Sequence, residues 1–340
     1  MRFLFACGGT AGHVNPAVGV AGRIRELLPE SEILFIGALG KMEMELVPRE
    51  GYEIRGVPVS NLSRSLSVEG IRHNIKFVSD LIKSGPACRK IIEEFKPDVV
   101  VGTGGYVCYP VLHEAAKLGI PTVVHESNAE PGLTTRQLEK CVDKIMVGFA
   151  EARENYKHPE KVVVTGTPVR LGFMRSDKSA ARRALGIAED EPLVVSVWGS
   201  LGATEMNKTV ARMIALAMDG AERPFRLVHS AGKRGIKSMT EYMSEELGLS
   251  DWKEAGFDVV DYIYDMPLLM AAADIVLCRS GASTLAELTA IGKPAILVPS
   301  PNVGNNICAI LPWRTLPTRS RPSSSLSPPG SNLANGAFSA

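Results

Sequence analysis

The stretch Phe3-Leu-Phe-Ala-Cys-Gly-Gly-Thr-Ala-Gly-His13 decides the fold, because an apolar run ends in closely spaced glycines and a helix-like segment follows. Buried parallel strands have this apolar character. Glycine lets the backbone turn tightly and approach a ligand, and the helix behind it offers free N–H groups. The stretch Val99-Val-Val-Gly-Thr-Gly-Gly-Tyr106 repeats the arrangement. Two such loops in one domain predict a site for a phosphate-bearing molecule.

The rest of the chain alternates strand-like and helix-like segments, which predicts an α/β fold with parallel sheets. The pattern restarts at Leu193–Trp198, which ends in the loop Gly199-Ser-Leu-Gly-Ala203 before another helix. We therefore expect two doubly wound, Rossmann-like domains that face a cleft. Their predicted ranges are 1–165 and 166–306, joined near Lys161–Ser176, with the second domain incomplete at its C-terminal end.

The predicted elements follow the apolar runs and the helical periodicity between them. The predicted strands are Phe3–Ala6, Ile33–Ile36, Val99–Val101, Thr122–His125, Lys144–Val147, Leu193–Trp198, Phe225–Ser230, Val259–Tyr262, Ile275–Cys278 and Ala295–Val298, with a short extended run at Val162–Thr165. The predicted helices are Asn15–Leu28, Lys41–Pro48, Ile71–Phe95 with a break near Gly85-Pro86, Pro110–Lys117 and Glu205–Met218.

Composition excludes several classes of protein. The formal net charge of +1 over 340 residues argues against a general nucleic-acid binder. The six cysteines are scattered without a C-x-x-C pair, which argues against structural zinc and favours a reducing compartment. Because the sequence opens on a predicted strand and contains no apolar run near the ~18 residues that span a bilayer, we expect neither a signal peptide nor a transmembrane helix. We expect a cytosolic protein, soluble or peripherally bound to a membrane.

The last segment, residues 307–340, differs abruptly from the rest of the chain. It contains no Asp, Glu or Lys and is rich in serine and proline. Such a composition does not build a packed element. We therefore predict that this segment is disordered.

A dinucleotide site is disfavoured at the first loop. The fingerprint for such a site needs G-x-G-x-x-G and an acidic residue at the end of the second strand. Here Cys7 stands at the first glycine position, and the second strand ends Phe35-Ile36-Gly37 without an acid.

Four polar residues near strand ends are candidates for chemistry, each with a plainer alternative. His13, after Gly12, is either a capping group or a general base, since imidazole titrates near neutrality. Asn128 either closes a turn or binds a sugar or phosphate oxygen. Arg170 either is solvated or meets a phosphate with its planar fork. Glu287 either satisfies the dipole of its helix or holds a ribose diol, while the preceding loop suits a diphosphate.

The segment 70–83 carries apolar residues at helical spacing with basic residues between them. The apolar set is Ile71, Ile75, Val78, Leu81 and Ile82, and the basic set is Arg72, Lys76 and Lys83. It is either an ordinary buried helix face or a basic amphipathic surface that contacts anionic lipid.

Together these motifs resemble the MurG glycosyltransferases of bacteria, over roughly residues 1–306. Six stretches occur in that family's order and approximate spacing: Gly8-Gly-Thr-Ala-Gly-His13, Gly102-Thr-Gly-Gly-Tyr-Val107, His125-Glu-Ser-Asn128, Gly166-Thr-Pro-Val-Arg170, Gly199-Ser-Leu-Gly-Ala203 and Cys278-Arg-Ser-Gly-Ala-Ser-Thr-Leu-Ala-Glu287.

The resemblance implies the two-domain GT-B fold and an inverting transfer of GlcNAc from UDP-GlcNAc to undecaprenyl-pyrophosphoryl-MurNAc-pentapeptide, which converts lipid I to lipid II in peptidoglycan synthesis. UDP-GlcNAc is then a substrate, and neither a cofactor nor a metal is expected. The first domain would bind the acceptor and, through 70–83, the cytoplasmic face of the cell membrane. The second would bind the donor. No nucleic acid is expected as a partner.

The resemblance also implies roles for individual residues. His13 would take the proton from the acceptor's 4-hydroxyl, and two loops would hold the acceptor pyrophosphate, through Gly8, Gly9, Gly104, Gly105 and Tyr106. The expected donor-binding residues are Thr10, Ala11, Gly12, Asn128, Arg170, Ser200, Ile263, Ala282, Ser283, Thr284, Leu285, Ala286 and Glu287. Asn128 would contact the sugar, Arg170 and Ser200 the phosphates, Ile263 the uracil through its backbone, and Glu287 the ribose.

The sequence departs from the family in four places. Ala11 replaces a usual glycine, Asn15 a common aromatic residue and Thr167 a usual asparagine. After Asn306 the stretch with the glutamine that contacts GlcNAc is absent, so we expect weak or no transferase activity from this chain. Three alternatives stay open: another UDP-sugar transferase, a UDP-GlcNAc 2-epimerase of GT-B fold, and an impaired homologue that binds only nucleotide or membrane.

Overall fold

The structure, a computed structural model, describes residues 1–59, 83–175, 177–199, 203–220 and 224–299. In these ranges the chain forms two parallel sheets. The strands of the first sheet are β1 (Arg2–Ala6), β2 (Glu32–Ala38), β3 (Glu53–Val57), β4 (Val99–Gly102), β5 (Thr122–Glu126), β6 (Lys144–Val147) and β7 (Val162–Val164). Their order across the sheet is β3-β2-β1-β4-β5-β6-β7.

The second sheet contains the remaining strands. They are β8 (Leu193–Val197), β9 (Arg226–Ser230), β10 (Phe257–Val260), β11 (Ile275–Cys278) and β12 (Ala295–Leu297). Their order is β10-β9-β8-β11-β12. The prediction of two doubly wound α/β domains is confirmed.

Helices cover the sheets. In the first domain they are α1 (Ala11–Leu27), α2 (Glu43–Arg49), α3 (83–95), α4 (Cys108–Lys117) and α5 (Leu133–Leu138). In the second part of the chain they are α6 (Leu171–Arg175), α7 (Lys178–Leu185), α8 (Thr204–Met218), α9 (Ile236–Glu241), α10 (Met266–Ala272) and α11 (Ala282–Ile291). Short 3-10 turns at Ala150–Asn155 and Pro159–Lys161 and a π-helical turn at Tyr242–Glu246 complete the described elements.

The central strands form because their side chains are apolar on both faces. In β1, Leu4 packs into one core and Phe5 into another, and both are fully buried. Phe5 lies opposite Phe35 of β2, and their rings stack with centroids 5.0 Å apart. Complete burial of each such side chain stabilises the fold by about 1.5–3 kcal/mol.

The strand order positions the functional site. β1 is hydrogen-bonded to β2 on one side and to β4 on the other. The chain therefore continues from β1 towards one edge of the sheet and from β4 towards the other edge. In open α/β sheets the crevice at such a point binds ligands, just beyond the carboxyl ends of the strands. The two glycine loops follow β1 and β4, and they therefore lie side by side. The second sheet repeats this arrangement at β8 and β11.

Several element boundaries differ from those predicted. Helix α1 begins at Ala11 rather than Asn15, so His13 lies in its first turn. Strand β3 was not predicted, because Glu53, Arg55 and Gly56 interrupt its apolar pattern. Strand β10 ends at Val260, two residues before the predicted end. Residues 83–95 are helical through Gly85 and Pro86, where a break was predicted.

Some predictions concern residues outside the described ranges. They are the amphipathic segment 70–83 apart from Lys83, Ser200 of the second glycine loop, and the segment 307–340. The domain boundary near residue 165 stays a prediction.

Candidate active site

The two glycine loops of the first domain are in direct backbone contact. The N–H of Gly8 donates to the carbonyl of Gly104, with N and O 3.2 Å apart. Gly105 has φ +90°, and a Cβ there would lie 2.3 Å from the carbonyl oxygen of Gly8. No side chain fits in this position, so glycine is required for the loops to meet.

His13 points back over this contact from the first turn of α1. Its Nδ1 lies 2.9 Å from the carbonyl oxygen of Gly8. A carbonyl oxygen only accepts, so in the neutral ring Nδ1 carries the proton and Nε2 keeps its lone pair. The ring lies against Gly104, where a Cβ would be 2.9 Å from Nε2. Nε2 is thus the atom of His13 that can accept a proton above the second loop.

The side chain of Glu43 supports the first loop from behind. It is completely buried, and its oxygens accept the N–H groups of Gly9 and Ala38, each at 3.0 Å. A Cβ on Gly8 would lie 2.3 Å from Oε1 of this carboxyl group. Sequence reasoning missed Glu43. The signal was its place just after β2, which neighbours β1, so that the loops after both strands meet.

The second domain approaches the same point with the N-terminus of α11. The hydroxyl of Ser283 donates to the carbonyl of Gly12 at 3.0 Å, and Nδ2 of Asn15 donates to Oε1 of Glu287 at 3.2 Å. The structure therefore brings the first turns of α1 and α11 together across the cleft. The predicted donor-binding residues at the starts of these two helices, from the N-cap of α1 to the second turn of α11, are Thr10, Ala11, Gly12, Ala282, Ser283, Thr284, Leu285, Ala286 and Glu287. Both helix N-termini present N–H groups and a positive dipole end, which suit an anion.

Glu287 is the most perturbed carboxyl group of the cleft. It is 6% exposed, and burial raises its pKa to about 7, although the positive charge of Arg170 and the hydrogen bond from Asn15 lower it. Burial dominates because removing a carboxylate from water disfavours the charged form. Asn15 stands where the family often has an aromatic residue. Its hydrogen bond connects Glu287 of the second domain to α1 of the first domain.

We expect this raised pKa to be visible in the pH dependence of stability. Below the ordinary value of 4.5 the group is protonated in both states. Between 4.5 and about 7 the folded state binds the additional proton, so the free energy of unfolding falls as pH rises through this window. Across this window the wild type should lose on the order of 3 kcal/mol of its free energy of unfolding, and Glu287→Gln should not show this loss. Denaturant unfolding of both proteins at intervals across this pH window measures the effect. An identical pH dependence of the two proteins would contradict it.

Arg170 lies in the cleft but is paired across it. Its Nη1 donates to Oε1 of Glu50 at 3.0 Å, and its guanidinium lies 5.3 Å from the ring centre of Phe173. Its buried Nε has no partner among the described residues. Arg170 also lines an interdomain cavity of about 650 Å³ together with Asn15 and Tyr262. Neither His13 nor the glycine loops line this cavity, whose α1 lining runs from Val14 to Glu26.

Asn128 is held by a neighbouring carboxyl group. Oε1 of Glu126 accepts both its backbone N–H, at 3.1 Å, and its Nδ2, at 2.8 Å. Oε2 of Glu126 accepts from the N–H of Gly132 and the hydroxyl of Thr135. These hydrogen bonds match the alternative in which Asn128 closes a turn. They stabilise the loop that follows β5. The role of Asn128 in donor binding stays a prediction.

The other predicted residues occupy varied positions. Tyr106 is 40% exposed at the rim of the second loop. The side chain of Ile263 packs in the core of the second domain, so a contact to a ligand would come from its backbone, as predicted. His125 is buried, with Nε2 3.1 Å from the carbonyl oxygen of Gly166, and burial lowers its pKa. It joins the end of β5 to the segment between the domains.

Helix α2 adds polar contacts between the domains. Glu45 accepts from Nζ of Lys233 at 2.6 Å and from the hydroxyl of Tyr264 at 3.0 Å. The guanidinium of Arg49 lies 3.9 Å from the ring centre of Tyr264. Exposed contacts of this kind contribute little to stability, and interfaces within a chain that are held in this way allow relative domain motion.

Two further observations concern the described part of the chain. No group of three or more His, Cys, Asp or Glu side chains there converges to hold a metal ion. No described helix combines the length and the apolar character needed to cross a bilayer.

Known proteins resemble this chain in sequence and in fold. Residues 3–147 match the glycosyltransferase family 28 N-terminal domain, and residues 193–308 match its C-terminal domain. The chain is 42% identical over 306 residues to an Acetivibrio thermocellus protein named UDP-N-acetylglucosamine--N-acetylmuramyl-(pentapeptide) pyrophosphoryl-undecaprenol N-acetylglucosamine transferase, covering 90% of this chain and 80% of that one. A protein of the same name from Porphyromonas gingivalis is 40% identical over 309 residues, covering 90% of this chain and 78% of that one.

Solved structures share the fold. MurG of Acinetobacter baumannii aligns with a TM-score of 0.57 at 24% identity, covering 91% of this chain and 82% of that one. UDP-GlcNAc 2-epimerase from Neisseria meningitidis, bound to UDP-GlcNAc, aligns with a TM-score of 0.61 at 14% identity, covering 91% and 85%. These likenesses establish the two-domain GT-B architecture. The sequence matches go further, and they show that the chain belongs to glycosyltransferase family 28 as a member of its MurG family.

Proposed function

We propose that this chain transfers GlcNAc from UDP-GlcNAc to undecaprenyl-pyrophosphoryl-MurNAc-pentapeptide, forming lipid II for peptidoglycan. The observation that supports it best is the meeting of three groups in one cleft. They are the proton-accepting Nε2 of His13, the paired glycine loops, and the N-terminus of α11 with Glu287. Relatives about 40% identical carry the name of this activity.

In the proposed mechanism Nε2 of His13 takes the proton from the attacking hydroxyl of the acceptor. The oxygen forms a bond to the anomeric carbon of GlcNAc while the bond from that carbon to the UDP oxygen breaks, with inversion. The leaving diphosphate gains negative charge, which the N–H groups at the start of α11 and the nearby Arg170 stabilise. The glycine loops bind the acceptor pyrophosphate through backbone N–H groups other than those of Gly8 and Gly9, which already donate to Gly104 and Glu43. None of these steps uses a metal.

The proposal includes peripheral binding to the cytoplasmic face of the membrane. It rests on the polyprenyl chain of the acceptor and on the basic amphipathic pattern of 70–83. Such a segment lies in the interface and binds anionic lipid through its basic residues.

The test measures UDP release and GlcNAc transfer with a soluble lipid I analogue. It uses the 340-residue chain and a chimera whose residues after 306 come from the Acetivibrio thermocellus relative. We expect UDP release only with acceptor, and a higher rate in the chimera. Conversion of UDP-GlcNAc to its 2-epimer without acceptor would favour the epimerase instead. Binding without turnover in both proteins would favour an impaired homologue.

We also expect Glu287→Ala to weaken UDP binding more than it alters turnover at saturating donor. Loss of a charged hydrogen-bond partner costs about 1.5–3 kcal/mol, which is roughly 10- to 100-fold in Kd. Calorimetry with UDP and with its 2′-deoxy analogue measures this. The wild type should prefer UDP, and the variant should bind both alike. A preference retained in the variant would remove Glu287 from the ribose site.

A further inference from the structure

Glu43 and His13 lie on opposite sides of one peptide unit. The peptide bond between Gly8 and Gly9 presents its carbonyl oxygen to Nδ1 of His13 at 2.9 Å and its N–H to Oε2 of Glu43 at 3.0 Å. A continuous chain therefore runs from a carboxyl group through a rigid planar amide to an imidazole. The mechanism described above does not use Glu43.

We propose that Glu43 is a positioning residue that acts on His13 through the Gly8–Gly9 peptide unit, holding the imidazole in its Nδ1–H tautomer so that Nε2 faces the acceptor. This rests on the proposed role of His13 as base. Hydrogen bonds in such a chain polarise one another. A negative carboxylate at the N–H end makes the carbonyl a stronger acceptor, and the stronger acceptor favours the proton on Nδ1.

Burial makes this coupling effective. The side chain of Glu43 is 0% exposed, so its oxygens are removed from bulk solvent. Both oxygens accept backbone N–H groups, so the ionised form satisfies both donors. Its negative charge also contributes to the raised pKa of Cys7, after burial and the neighbouring Cys108.

The coupling also serves the transfer of the proton. When Nε2 takes the proton of the acceptor, the imidazole becomes positive and both nitrogens are donors. The carbonyl of Gly8, polarised by Glu43, then stabilises the positive ring. A direct contact between a carboxylate and a catalytic histidine performs the same task, and its loss with intact geometry costs about 10⁴ in kcat. Through an intervening amide we expect a smaller loss, roughly 10- to 100-fold.

The experiment compares wild type with Glu43→Gln, which keeps the shape of the side chain and removes the charge. Two-bond ¹H–¹⁵N spectra of ¹⁵N-histidine-labelled protein at about pH 8, where imidazole is neutral, report the tautomer. The signals of His13 are assigned by their loss in His13→Ala. We expect the Nδ1–H form in wild type and a mixture with Nε2–H in Glu43→Gln. In the chimera background kcat should fall roughly 10- to 100-fold, with little change in KM for UDP-GlcNAc.

Glu139→Gln is the matched control. Glu139 is a buried carboxyl group of the same domain that accepts the N–H of His158 at 2.7 Å, away from the loops. Its variant should lose stability without changing the tautomer of His13. If Glu43→Gln does not fold, Glu43→Asp, which shortens the side chain but keeps the charge, should shift the tautomer to a smaller extent.

The outcomes separate the inference from the proposed function. An unchanged Nδ1–H tautomer in folded Glu43→Gln or Glu43→Asp overturns the inference, whatever happens to turnover. A changed tautomer with unchanged kcat supports the coupling and shows that His13 is not the base, which overturns the proposed function of that residue. A change in KM for UDP-GlcNAc as large as that in kcat would mean that Glu43 only maintains the loop, and overturns the positioning role.

Discussion

Replacement of His13 by alanine should lower kcat by roughly 10²–10⁴-fold, the usual contribution of a positioned general base. The reason is that Nε2 is the one proton acceptor of this ring, since Nδ1 is engaged with Gly8 at 2.9 Å. Donor affinity should change little, because most of the proposed donor contacts come from α11 of the second domain and none comes from the imidazole of His13. Steady-state transfer to the lipid I analogue and calorimetry with UDP-GlcNAc, both in the chimera, measure the two quantities.

His158→Ala provides the control for this variant. The side chain of His158 is about half exposed and pairs with Glu160 at 3.2 Å, away from the cleft. Its removal should leave kcat within twofold of wild type, within the small range typical of surface substitutions. Turnover by His13→Ala at the same rate as this control would reject the assignment of the base.

Replacement of Gly104 by alanine is expected to give the second large effect. Its φ is +116°, and an added Cβ would lie 2.4 Å from Cδ2 and 2.9 Å from Nε2 of His13. The imidazole would have to move, and a displacement of about 1 Å at a reacting group costs around 10²-fold in rate. The strained backbone adds a loss of stability of about 1–3 kcal/mol. Turnover and denaturant unfolding in parallel measure both changes.

Gly119→Ala separates the collision from the backbone strain. Gly119 has φ +71° beyond the end of α4, and a Cβ there meets nothing within 4 Å. This variant should lose roughly 1–2 kcal/mol of stability from the left-handed backbone and keep its turnover. Equal losses of turnover in both variants would mean that strain, rather than the displaced imidazole, explains the effect at Gly104.

Much of the fold followed from local patterns. Apolar runs that end in glycine, such as Phe3–Ala6 and Val99–Val101, correctly predicted β1, β4 and the loops behind them, because strands buried on both faces leave this signature. Only the structure showed that β1 and β4 are neighbours in the sheet, since β2 and β3 lie between them in the chain. Strand β3 was not predicted, because it is an edge strand whose charged residues, Glu53 and Arg55, interrupt the apolar pattern.

The sequence by itself determined the family, the two doubly wound domains and the loops that precede the helices of His13 and Glu287, because each depends on residues close together in the chain. Only the tertiary structure decided how those residues interact. Glu43 reaches the peptide unit behind His13 from the start of α2, and Asn15 binds Glu287 across 272 positions of sequence. The protonation of Glu287 also depends on the tertiary structure, because its raised pKa comes from burial between the two domains. Burial and long-range hydrogen bonds arise from packing, and no local pattern of residues encodes them.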